Sequence, residues 1–195
     1  MAIKTLELER GSIYEGEVSR GKPNGKGKLT VKYEGVYEGV FINGEINGKG
    51  KFTSEYGSIY EGDFVDGYKE GKGKSTEMFR GIAGDVYEGD FSFNRRHGIG
   101  KVTRQNGDVY EGEFSSDQVS GKGKLTYKNG DVYEGEFTTN KRDGRGILTY
   151  ANGRVQDGYW YEDKFMGEGD FGKAKMKKEQ AARSDAYELQ NRICP

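Results

Sequence analysis

Catalytic chemistry in this chain of 195 residues would rest on few groups: one histidine, His97, one cysteine, Cys194, and a surplus of charged side chains. A cysteine nucleophile needs a histidine base within hydrogen-bond reach and a third group to orient that base. Cys194 is second from the end, far along the chain from His97, and no third group is suggested, so the pair does not read as a nucleophile. Gly73, Lys74 and Ser75 look like the end of a phosphate-binding loop. The preceding glycine, Gly67, is one residue too far away, however, and a turn rather than a helix follows. Carboxylates stand at strand spacing with lysines opposite them, which does not converge into a metal cage or an acid/base pair. No catalytic residue, metal ligand or cofactor is therefore expected, and a single cysteine excludes an internal disulfide.

The elements that carry these groups follow from a tyrosine interval. Tyr14, Tyr37 and Tyr60, then after four inserted residues Tyr87, Tyr110 and Tyr133, recur every 23 residues, with Gln156 in the next place. Counting from each tyrosine, there is glycine at +2, an apolar residue at +4, glycines at +11 and +13, and usually an apolar residue at +15. Seven repeats obey this, and we number them 1 to 7 from Tyr14 to Gln156. Residues 1–13 read as a half-repeat cap, and the degenerate seventh repeat as another.

Within a repeat, a period-two run such as D-V-Y-E-G-E-F is followed by six polar residues and a second short run, which is a hairpin. Asn-Gly joins successive hairpins. A three-residue turn with Gly130 left-handed sets Tyr133 opposite Leu125, Gly135 opposite Gly123 and Phe137 opposite Gly121, so that every apolar residue shares a face. The same rule inside a repeat pairs Tyr133 with Leu148, Gly135 with Gly146 and Phe137 with Gly144. On the other face, acids at +1 and +3 should meet bases at +14 and +12: Glu15 with Lys28, Glu17 with Lys26, Asp63 with Lys72, Glu113 with Lys122, Glu136 with Arg145. Lys28 should also meet Glu38 of the next repeat.

The expected fold is all-β: an elongated, twisted, single-layer antiparallel sheet of about fifteen strands, ~70 Å long at ~4.8 Å per strand. The insertion at 77–83, next to Ser75 in place of the apolar +15 residue, is where a kink or special loop is expected. The repeat array is assigned to residues 1–171 and a basic amphipathic helix to 172–195. In that tail the glycines stop, and Ala182, Ala186, Leu189 and Ile193 recur at helical spacing.

The Y-E-G-E-F…G-x-G repeat resembles the MORN (membrane occupation and recognition nexus) repeat over residues 1 to about 171. Phe41, Phe64, Phe91, Phe114, Phe137 and Trp160 match its aromatic +4 position, whereas Val40, Ser75, the insertion and Gln156 depart from it. The resemblance implies an elongated antiparallel sheet and a scaffolding or adaptor role. It also implies association with cytoskeletal or membrane-proximal assemblies and, in some members, dimerisation or capture of a partner helix.

A one-sided apolar face with nothing obvious to cover it reads as an interaction surface. The expected protein-binding trough comprises the tyrosines Tyr37, Tyr60, Tyr87, Tyr110 and Tyr133, the phenylalanines Phe41, Phe64, Phe91, Phe114 and Phe137, and Leu125 and Leu148. Its occupant would be a helical or extended protein segment; packing of the rings on one another as the core is the structural alternative. The tail, residues 173–195, carries six basic and three acidic side chains. Lys173, Lys175, Lys177, Lys178 and Arg183 are its candidate contacts to anionic phospholipid; docking on the chain's own last repeat or on a partner protein are the alternatives. A homo-dimer is a further candidate. With a net charge of −1 no nucleic-acid partner is expected. The start lacks the apolar core of a signal peptide, no apolar run spans a bilayer, and the positions used by lipid anchors are unsuited. A cytoplasmic location is expected.

Overall fold

The computed structural model describes residues 2–193, the side chains of Phe79, Asp185 and 188–193 excepted. The strands are β1 (Ala2–Glu7), β2 (Ile13–Ser19), β3 (Lys22–Val31), β4 (Gly35–Ile42), β5 (Glu45–Ser54), β6 (Ile59–Val65), β7 (Tyr68–Phe79) and β8 (Ile82–Ser92). They continue as β9 (Arg95–Thr103), β10 (Val109–Ser115), β11 (Gln118–Thr126), β12 (Val132–Thr138), β13 (Lys141–Thr149), β14 (Val155–Tyr161) and β15 (Lys164–Gly167), and helix α1 (Gly169–Ile193) follows. All fifteen belong to one open antiparallel sheet in chain order. Two compact bodies, residues 1–107 and 108–195, make up the chain.

Register between repeats follows the side-chain faces. In the C-terminal body Tyr133 pairs with Leu125, Gly135 with Gly123 and Phe137 with Gly121; in the N-terminal body Tyr37 pairs with Leu29, Gly39 with Gly27 and Phe41 with Gly25. The joining turn is Lys128-Asn129-Gly130. Tyr127 N–H donates to the Asp131 carbonyl at 2.9 Å, Gly130 N–H donates to the Tyr127 carbonyl at 2.9 Å, and Gly130 takes φ 90°. Asp131 then reaches onward, its Oδ1 accepting the Ala151 N–H at 2.8 Å, and Asp108 does the same for Lys128 at 2.9 Å.

Inside a repeat the register corrects one expectation. Tyr133 pairs with Leu148 and Gly135 with Gly146, but Phe137 lies opposite Arg142, not Gly144. The cause is a two-residue turn, Thr139-Asn140, with φ 50° and 65°; positive φ at both positions matches the twist of a hairpin. Asp143, Gly144 and Arg145 are left facing Glu136 alone, and Gly144 takes φ 109° to absorb this bulge.

The bulge also corrects the role of the +3 acids. Each accepts the backbone N–H at +12 rather than pairing with the +12 side chain: Glu17 with Lys26 at 2.9 Å, Asp63 with Lys72 at 3.3 Å, Asp90 with Ile99 at 2.9 Å, Glu113 with Lys122 at 2.8 Å, Glu136 with Arg145 at 2.7 Å. The +1 acids do face the +14 lysines of their own repeat, Glu15 with Lys28 for example. Ion pairs nonetheless run on to the next repeat: Lys28 to Glu38 at 3.8 Å, Lys51 to Glu61 at 2.8 Å, Lys49 to Asp63 at 2.8 Å, Lys124 to Glu134 at 2.9 Å. Exposed pairs of this kind stabilise by only ~0.2–1 kcal/mol each, so they select register more than they hold the sheet together.

The four inserted residues lengthen a hairpin without opening a loop. Phe79 pairs with Ile82 across an Arg80-Gly81 turn with φ 51° and 78°, an irregularity lies between Thr76 and Met78, and Thr76 still meets Val86. Ser58 Oγ accepts the Met78 N–H at 2.9 Å and ties the extension to the turn that leads into β6.

The candidate aromatic face and the terminal helix

Each tyrosine ring lies flat over two glycines of its own repeat. A Cβ on Gly135 would stand 2.6 Å from the Tyr133 hydroxyl and 2.5 Å from Gly146 Cα, and the same relation holds for Gly16, Gly62, Gly89 and Gly112 under their own tyrosines. The hydroxyl then donates to the +3 carbonyl: Tyr14 to Glu17 at 2.7 Å, Tyr60 to Asp63 at 2.9 Å, Tyr87 to Asp90 at 2.8 Å, Tyr133 to Glu136 at 3.1 Å. Glycine at +2 and +13 is thus required by the ring above it.

Tyrosine and phenylalanine alternate edge to face along each body. In the N-terminal body Tyr14 meets Phe41 at 4.8 Å, Phe41 meets Tyr37 at 5.3 Å, Tyr37 meets Phe64 at 5.0 Å, and the series runs on through Tyr60 and Phe91 to Tyr87. In the C-terminal body it runs from Phe114 through Tyr110, Phe137 and Tyr133 to Trp160 and Phe165. Such pairs contribute ~0.5–1.5 kcal/mol each beyond burial. The twelve residues expected to line a trough are brought onto this face, and none is more than 7% exposed. Their rings form the core of a single-layer sheet, so the surface a partner could touch is built by residues around them.

Three of those surrounding residues escaped the sequence. At +9, opposite the aromatic +4 residue, the Lys69 ammonium lies 4.8 Å over Tyr60, the Arg96 guanidinium 5.7 Å over Tyr87, and the Arg142 guanidinium 4.3 Å over Trp160. Arg142 is also held by Asp163, Nε donating to Oδ1 at 3.0 Å and Nη2 to the carbonyl at 2.9 Å. Without the tip bulge, +9 would not be placed opposite +4.

Burial pushes the Tyr110 hydroxyl up to about 12 and those of Tyr60 and Tyr133 further, with the Asp63 carboxylate adding to the rise at Tyr60. All three stay protonated near neutral pH. Unfolded tyrosine ionises near ~10. Above that pH the unfolded chain gives up protons that the folded chain retains, so stability falls with rising pH, and this contribution is lost as pH passes the folded values. Loss of the β-sheet circular dichroism signal should begin near pH 10; a flat profile from pH 8 to 12 would count against the buried hydroxyls.

His97 lies within β9 opposite Asp90, beside the bulge at Gly98, and the turn of that hairpin is Phe93-Asn94. Cys194 lies outside the described residues.

Helix α1 packs against β14 and β15. Gly172 is buried against Gly167, Met176 is half-buried, and Arg183 pairs with Glu162. A half-open cavity of about 580 Å³ remains between helix and hairpin, lined by Tyr161, Phe165, Met166, Lys175 and Ala182 among others. Of the expected apolar stripe, Ala182 borders this cavity. Ala182 and Ala186 are exposed, the side chains of Leu189 and Ile193 lie outside those described, and the closest approach is in the first turn, where Gly172 meets Gly167. Lys173, Lys175, Lys177 and Lys178 are exposed, as is Phe171 at 76%.

The MORN repeat model matches residues 14–30, 37–58, 60–76, 87–109, 110–132 and 133–153, six repeats in all. No relative was found among curated proteins. Among solved structures, the TCP domain of SAS-4 (dCPAP) from Drosophila melanogaster, in complex with a proline-rich motif of Ana2 (dSTIL), aligns at 13% identity and a TM-score of 0.44. That alignment covers 81% of this chain and 90% of that one.

Proposed function

The chain belongs to the MORN repeat family, and we propose that it is a non-enzymatic, cytoplasmic scaffold or adaptor whose aromatic face receives a helical or extended segment of another protein. Its setting would be a cytoskeletal or membrane-proximal assembly, as the family resemblance implies. One observation carries the reading. The aromatic series lies on one face of the sheet, and among the described residues of the N-terminal body the strands of that sheet are joined by a single 3-10 turn, Glu9–Gly11, with no second sheet or longer helix. At the other end of the chain, α1 already lies against β14 and β15.

Ring substitutions would test folding more than binding, because the rings are buried. A photo-crosslinking residue placed in the native cell at Leu29 or Ile46, both half-buried on the aromatic face, is the better probe. Crosslinks to another protein should form there and not from Glu61 or Glu134 on the charged face. Equal crosslinking from both faces, or none from the aromatic face, would remove the proposal.

The exposed Phe171 among four exposed lysines favours a second reading, peripheral contact with anionic phospholipid through α1. Sedimentation with phosphatidylserine vesicles should then depend on Lys173, Lys175, Lys177 and Lys178. Binding that ignores their charge reversal would end this reading.

A further inference from the structure

Repeat 3 departs from its sister repeats at the tip of the β6–β7 hairpin. Val65 and Tyr68 face each other there on the charged face, 51% and 47% exposed. Repeats 1, 4, 5 and 6 place Ser19, Ser92, Ser115 and Thr138 where repeat 3 has Val65. The hairpin therefore does not need an apolar tip to fold. Ile42, 52% exposed, is its counterpart in repeat 2.

Phe93 is the second departure. It opens the next tip turn at φ 47° and is 71% exposed, with its ring 5.9 Å from that of Tyr68. Asn43, Asp66 and Ser116 hold the same place in other repeats. A left-handed conformation is easy for Asn or Asp and strained for an aromatic residue, and strain kept at an exposed position points to use rather than to packing. Glu70 Oε1 accepts the Phe93 N–H at 2.7 Å and fixes the turn, so the ring is presented in one place.

Charge is the third. Asp63 and Glu70 face each other across the hairpin, two residues in from Val65 and Tyr68, and Asp66 stands in the turn. Lys49 already pairs with Asp63 at 2.8 Å, so Glu70 and Asp66 are the carboxylates that a lysine or arginine arriving at this tip would meet.

We propose that this tip is a docking site, separate from the aromatic face, for a segment of another protein that carries an apolar anchor flanked by lysine or arginine. Val65, Tyr68 and Phe93 take the anchor; Asp66 and Glu70 take the cations. An adaptor so built would engage two partners on opposite faces.

The test is selection of random peptides displayed on phage against the full chain, followed by binding to variants. Enriched peptides should combine an aromatic or aliphatic residue with adjacent Lys or Arg. Phe93→Asn should weaken them about tenfold or more while leaving the thermal midpoint unchanged or raised, since Asn relaxes the turn. Asp66→Asn, which keeps the turn preference and an Oδ1 for Asn47, should weaken them at low salt and less at high salt. Four results would overturn the proposal: peptides without basic residues, equal binding to Phe93→Asn, a lowered midpoint for that variant, or self-association of the native chain abolished by it.

Discussion

Gly135→Ala is expected to destabilise the C-terminal body by about 3 kcal/mol, the upper end of what an inserted methyl costs in a packed core. The added Cβ would lie 2.5 Å from Gly146 Cα, 2.6 Å from the Tyr133 hydroxyl and 2.7 Å from the Arg145 carbonyl. Two of the three are backbone, so no flexible side chain can yield. Moving Tyr133 would break its bond to the Glu136 carbonyl and disturb its edge contacts with Phe137 and Trp160. Gly153→Ala is the control. Nothing lies within 4 Å of its added methyl, and only φ 85° resists it, at about 1–2 kcal/mol. Urea unfolding of both variants checks the contrast; equal losses would mean that the glycines serve the chain's path and not the rings.

The second large effect is Trp160→Ala, with an expected cost of about 3–5 kcal/mol for a buried aromatic residue. Trp160 is 2% exposed, touches Tyr133 and Phe165, and donates from Nε1 to the Gly146 carbonyl at 3.1 Å. It also carries the Arg142 guanidinium on its face. In a repeat array each unit is held by its neighbours, so the damage should stay at the end of the chain. Amide hydrogen exchange should accelerate in β14, β15 and α1 while β10 to β12 keep their protection. Uniform acceleration through the C-terminal body would show that α1 and the last hairpin are not a separable cap.

Tyr133, Gly135 and Phe137 show why the sheet was readable and where reading stopped. A period of two fixes which side chains share a face, and the turn length then fixes register, so the pairing between repeats could be argued before any coordinates. The tip bulge could not. It depends on Thr139 and Asn140 both taking positive φ, and in other repeats the same turn is written with Arg20-Gly21, Ser116-Asp117 or Phe93-Asn94. Because the bulge sets what lies opposite +4, the cations over Tyr60, Tyr87 and Trp160 were hidden with it. The helix was legible as a helix, but which of its residues meet the sheet was not. Small apolar residues at 182 and 186 mark a periodic stripe, whereas the closest approach is at Gly172, whose missing side chain lets the first turn approach Gly167.

The joining turns also act as a ruler for heredity. A tandem duplication of one whole repeat would insert a hairpin whose every neighbour is already of the right kind, whereas a copy one residue short would turn each downstream side chain to the wrong side. Growth by whole copies is the change such a gene tolerates. The extra residues of 77–83 are the other tolerated class: they sit at a hairpin end, where lengthening leaves Val86 still opposite Thr76.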